Sequence, residues 1–176
     1  MKGLTTDANN KNFNVIYAGA ALTTPQEGAP ASTREAAIHL DVDAGNSFTF
    51  RGGVSGDATH AMSVIKAGAG SQTFADGNCT YSTAATFQDV TVLGGTLNLN
   101  NTTTTITGDY AIAQGATLNV NGGITLTEGH TLAALDTAGN TGSATLGSTL
   151  TLAGGTLTFY GAGLHSLAEN TDMLSI

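Results

Sequence analysis

Apolar and polar residues alternate with a period of two along most of the chain, in short runs cut apart by small turn-forming residues. In the segment 64–100, VIKAGAGSQTFADGNCTYSTAATFQDVTVLGGTLNLN, Phe74 is the apolar member of a run that begins at Ser71. Val90 and Val92 share one parity, as do Leu97 and Leu99. Such alternation, rich in Val, Thr and Phe, predicts half-buried strands rather than helices. Between the runs stand Gly68-Ala69-Gly70, Asp76-Gly77-Asn78 and Gly94-Gly95, residues that accept the positive φ of a sharp turn.

The same rhythm extends in both directions. Ile38, Leu40 and Val42 alternate with His39, Asp41 and Asp43, and Phe48 shares a face with Phe50. Three later stretches, GGTLNLN at Gly94, GATLNVNGG at Gly115 and GGTLTFYG at Gly154, repeat one theme of Gly, Thr and two apolar residues two apart. Leu97 to Leu118 is 21 residues, and Leu118 to Leu157 is close to twice that. A recurrence near 20 residues suits one coil of a three-stranded β-helix. The expected inward pairs are Leu97/Leu99, Leu118/Val120, Ile124/Leu126, Leu150/Leu152 and Leu157/Phe159.

The fold expected is all-β, a right-handed parallel β-helix of about seven to eight coils and on the order of 40 Å long. Residues 1–37 read as an irregular lead-in and 38–176 as the solenoid. Within the lead-in, Phe13, Val15 and Tyr17 suggest one strand, and Ser32 to Glu35 has the Ser-x-x-Glu form of a capping box. The rhythm loosens between Leu132 and Leu146, where a projecting turn is expected, and the end from Leu164 reads as cover for the last coil.

The segment from Ile38 to Leu99 resembles the autotransporter-associated β-strand repeat of bacterial passenger regions. The features that carry the resemblance are Lys66, Gly68, Gly70, Thr73-Phe74, Asn78 to Tyr81, Val90 to Val92, Gly94-Gly95 and Thr96 to Leu99. Gln72 stands where the pattern usually has Leu or Thr, and Cys79 where Thr is common. The resemblance implies a surface-exposed or secreted scaffold on a bacterium, attached through a membrane barrel missing here, or released. It implies adhesion to a host-surface protein or glycan, and possible end-to-end or side-by-side self-association.

Composition narrows the function classes. Of 176 residues, 40% are hydrophobic and only 10% charged, so hydroxyls and amides must keep the surface wet. Five basic residues against 13 acidic ones leave a net charge of −8, and such a chain has no basic patch for nucleic acid. Its single cysteine, Cys79, rules out an internal disulfide. There is no apolar run suited to a signal peptide or membrane helix, so an exported form is expected to have lost its leader.

Candidate chemistry is sparse. His39, Asp41 and Asp43 share a strand face, and with Gly45 and Asn46 they offer part of a calcium loop but not its later Glu. Glycan hydrolysis needs two converging carboxylates, whereas Asp57, Asp76, Asp89, Asp109, Glu128 and Asp136 are scattered. His60, His130 and His165 belong to no recognisable triad spacing. Thr125/Thr127, Thr149/Thr151, Thr156/Thr158 and the run Thr102 to Thr105 form outward rows that could order water. Asn98, Asn100, Asn101, Asn119 and Asn121 are placed to stack as amide ladders at the turns. The residues thus predict no catalytic, metal or cofactor-binding residue and no cofactor, and the resemblance implies a non-enzymatic scaffold. The alternatives from other classes are a solenoid enzyme acting on polysaccharide and a glycan-binding module.

Overall fold

The computed structural model describes residues 1–5, 15–18, 36–56, 62–77, 83–135 and 145–159. These fold as strands joined by tight corners, with no helix among the described residues. The first coil holds β1 (Val15–Ala18), β2 (Ala36–Asp41) and β3 (Ser47–Arg51). The second holds β4 (Gly53–Gly56), β5 (Met62–Ala67) and β6 (Ser71–Ala75), and the third β7 (Ala84–Phe87), β8 (Val90–Val92) and β9 (Thr96–Asn100). In the fourth are β10 (Thr103–Ile106), β11 (Tyr110–Ala113) and β12 (Thr117–Val120). The fifth contains β13 (Ile124–Thr127), β14 (Thr131–Leu135) and β15 (Thr145–Leu146), and the last pair is β16 (Leu150–Ala153) and β17 (Thr156–Phe159).

Every third strand stacks on the one before it, in parallel. A 6-stranded sheet runs β17-β14-β11-β8-β5-β2 and a 5-stranded sheet β15-β12-β9-β6-β3. The remaining face is split into β1-β4-β7-β10 and β13-β16. The fold is a parallel β-solenoid, as the alternation predicted. Val15–Ala18, inside the stretch read as a lead-in, pairs with Gly53–Gly56 as the first strand of its face. The capping-box residues 32–35, Cys79, Tyr81, Asp136 to Gly142 and everything after Phe159 lie outside the described residues.

The core is a set of apolar columns running along the stack. In the 6-stranded sheet one inward column is Ile38, Val64, Val90, Tyr110 and Leu132. In the 5-stranded sheet Leu97 sits on Leu118, and Leu99 on Val120. Leu97, Leu99, Leu118 and Leu126 are all 0% exposed, and Ile124 is 2%. Leu150 and Leu152 are only partly buried, against the same core. Phe50, Phe74 and Phe87 pack together in the core, with ring centroids 6.0 Å and 5.6 Å apart at steep angles. Edge-to-face contact is the arrangement the ring quadrupole favours.

Coil length varies more than the sequence recurrence implied. Bonded side chains in adjacent coils are 20, 21 and 22 residues apart in the middle of the chain, but 25 towards the start and 28 towards the end. Among the described residues the 6-stranded sheet has six rungs. At a rung spacing of about 4.8 Å, six rungs span about 24 Å. Leu157 also departs from the expectation: it stacks on Leu132 in the 6-stranded sheet, not on Leu118.

Tyr110 offers a test of this core through pH. It is 4% exposed, and burial pushes its phenol up to about 12 from an ordinary 10.0. Above pH 10 the unfolded chain therefore loses this proton first, so stability falls as pH rises from about 10 to about 12. The expected loss between pH 9 and pH 11 is about 1.3 kcal/mol. Urea midpoints of wild type and Tyr110→Phe at pH 9 and pH 11 check it, because the other tyrosines cancel in the difference.

Candidate functional site

Among the described residues, hydrogen-bonded polar side chains stand at the corners of the coil and on its outer faces, and Lys66 and Gln72 stand in core columns. At the corner entering the 6-stranded sheet, Asp89 Oδ1 accepts from Asp109 N at 2.8 Å, and Asp109 Oδ1 accepts from Thr131 N at 2.9 Å. Ser63 Oγ accepts from Asp89 N at 3.3 Å. Each acid thus caps a backbone donor of the following coil. Gly108 keeps this possible, since a Cβ there would run into the Asp89 carboxylate. His130 Nδ1 lies 3.6 Å from Asp109 Oδ1, a neighbour one coil away that linear spacing does not reveal.

At the corner leaving the 5-stranded sheet, Asp76 takes both the backbone N–H (2.8 Å) and the hydroxyl of Thr102. Asn101 is fully buried there and donates to Gly52 O at 3.0 Å. Its Oδ1 meets no donor among the described residues. Asn121 donates to Asn101 O at 3.2 Å. Nearby, an open groove of about 580 Å³ lies between the corners at 120–123 and 146–149, lined without a charged side chain.

The third corner contains the most unusual group. Lys66 occupies an inward position, in register with Leu40 on one side and Val92 on the other, and is 0% exposed. Its ammonium donates to Ala67 O at 2.7 Å, Gly68 O at 2.8 Å and Gly94 O at 3.0 Å. Burial pulls its pKa below the ordinary 10.5, and the charge of Asp41 opposes that pull. Gly68 and Gly95 hold positive φ of 73° and 63°, which an L side chain adopts only with strain.

Gln72 is the second polar residue in a core column. It bonds both backbone groups of Leu4, each at 2.9 Å, and donates to Thr73 O at 3.0 Å. Residues 1–5 thereby close the first coil. Met1 supplies a further pair of backbone bonds, donating to His39 O at 2.9 Å and accepting from Asp41 N at 2.7 Å.

On the outer face of the 5-stranded sheet, Thr49, Thr73, Asn98 and Asn119 stand in register. Asn119 donates to Asn98 Oδ1 at 2.7 Å, and Asn98 donates to Thr73 Oγ1 at 3.1 Å. An amide ladder was expected at the turns; these two residues form one on the strands instead, because both point outward from adjacent registers. Thr125 and Thr127 are exposed, but their row continues as Thr151 and Ala153, so the hydroxyl array is interrupted.

The candidate ligand set His39, Asp41 and Asp43 is exposed. Asp43 is engaged by Lys2 Nζ at 3.0 and 3.2 Å. Among the described residues no three His, Cys, Asp or Glu side chains come close enough to hold a metal ion.

No family model, curated protein or solved structure matches the chain.

Proposed function

We propose that the chain is a non-enzymatic scaffold segment, a stiff stalk of an autotransporter-type protein displayed on a bacterial surface or released from it. The observation that carries this reading is the direction of the polar side chains. Asp76, Asp89, Asp109, Asn98 and Asn119 are each bonded to an adjacent coil. Carboxylates committed to neighbouring main-chain donors are held as acceptors, which favours lengthwise cohesion over acid–base work. The resemblance of residues 38–99 to the passenger repeat supplies the biological setting: adhesion or contact with a host protein, a glycan or another cell. Sequence between strands is where such a partner would be chosen without disturbing the columns.

Incubating the purified chain with plant, bacterial and mucin glycans, with and without calcium, tests the reading. A scaffold releases no reducing ends under either condition. Release that disappears in Asp109→Asn would make the chain an enzyme, and calcium-dependent retention without cleavage would make it a binding module.

A further inference from the structure

The three carbonyl oxygens around Lys66 come from two successive corners: Ala67 and Gly68 from the second coil, Gly94 from the third. An ammonium group has three N–H donors, and here each finds one acceptor within 3.0 Å. The match is complete, and the Lys66 side chain that makes it is 0% exposed. A negative charge stands behind it, since Asp41 acts favourably on the ammonium and its Oδ1 lies beside Gly68. Leu40 and Val92, the residues in register on either side, are apolar, so the four-carbon stem is packed as a core residue would be.

We propose that these two glycine corners form a main-chain cage specific for a primary ammonium ion, that the chain's own Lys66 is its resident ligand, and that the cage accepts a free alkylammonium once that side chain is shortened. Three directional acceptors fit a trio of N–H donors. Hard metal ions, which take six or more oxygens, are poorly served by them. A quaternary ammonium carries no N–H donor and gains nothing from the carbonyls. The cage holds a cation within the core and thereby pins the second coil to the third.

The complement is chemically defined. Lys66→Ala removes three methylenes and the ammonium, the atoms of n-propylammonium. Lys66→Met keeps the cavity filled but leaves the carbonyls without donors. Thermal midpoints of wild type and both variants are to be followed in n-propylammonium chloride, with tetramethylammonium chloride at equal ionic strength and n-propanol as controls. The Ala variant is expected to gain about 3–5 °C at ten times the dissociation constant, saturably, while wild type and the Met variant do not respond. No gain in the Ala variant, or an equal gain in all three proteins or in tetramethylammonium, overturns the cage. If the Ala variant does not fold even in n-propylammonium, the wild type decides by nitrogen-15 NMR of the lysine ammonium groups. A Lys66 ammonium signal at neutral pH protected from water exchange supports the cage; a neutral amine or a fast-exchanging group overturns it.

Discussion

Replacing Leu118 by Asp is expected to abolish the cooperative melting transition. Leu118 is 0% exposed and lies between Leu97 and Leu146 in one inward column. Removing the leucine from a packed column costs about 3 kcal/mol, and an uncompensated buried carboxylate adds roughly 3–5 kcal/mol. Together these rival the whole stability of a domain, about 5–15 kcal/mol. Because each coil buries its inner face only against its neighbours, the loss spreads to the coils on both sides. Thermal melts followed by circular dichroism check this, with the exposed Thr125→Asp as the control, expected within about 0.5 kcal/mol of wild type. Wild-type melting of Leu118→Asp would mean that the column is elsewhere.

The second large effect is expected at Phe74. Its ring meets Phe50 and Phe87 edge to face, joining the first, second and third coils. Truncation to Ala should cost about 3–5 kcal/mol and lower the midpoint by roughly 10 °C for a chain of this size. Phe87→Ala, and the double variant with it, should show coupling of about 0.5–1.5 kcal/mol, the worth of an aromatic pair beyond its buried area. Urea denaturation of the four proteins measures both quantities. A loss below about 1 kcal/mol for Phe74→Ala would place the ring outside the core.

Parity was legible in the sequence, and destination was not. The alternation placed Leu97, Leu99, Leu118, Val120, Ile124 and Leu126 inward, and all six are buried. The 21-residue step from Leu97 to Leu118 is a true register between adjacent coils. Leu157 misled because Gly-Thr-Leu marks a turn followed by a strand, whichever corner that turn belongs to. Gly95 and Gly115 lead into the 5-stranded sheet, whereas Gly154 and Gly155 lead into β17 of the 6-stranded one. Turn chemistry is local, but the face a strand joins depends on how many corners precede it.

The three buried polar residues among the described ones, Lys66, Gln72 and Asn101, show the converse. Lys66 shares parity with Met62 and Val64, Gln72 with Phe74, and Asn101 with Leu97 and Leu99. None of the three was expected in the core: Lys66 and Gln72 entered only as positions of the repeat pattern, and Asn101 as part of an amide ladder at the turns. What the chain did not reveal was which distant groups each would bond, because the acceptors include Gly94 O for Lys66, Leu4 O for Gln72 and Gly52 O for Asn101. The candidate set His39, Asp41 and Asp43 lies on the exposed side, as alternation placed it, and its contact with Lys2, 41 residues from Asp43, was not legible from spacing.

The central claim is the parallel, in-register stacking of coils, and backbone nuclear Overhauser contacts in the 176-residue chain test it most directly. Parallel strands bring amide protons near the α-protons of register partners, whereas antiparallel pairs alternate close and wide spacings. The solenoid predicts parallel-type contacts linking Thr73 with Asn98, Asn98 with Asn119, and Val64 with Val90. Close α-proton to α-proton contacts between sequential strands such as β8 and β9, the mark of a meander, would contradict it.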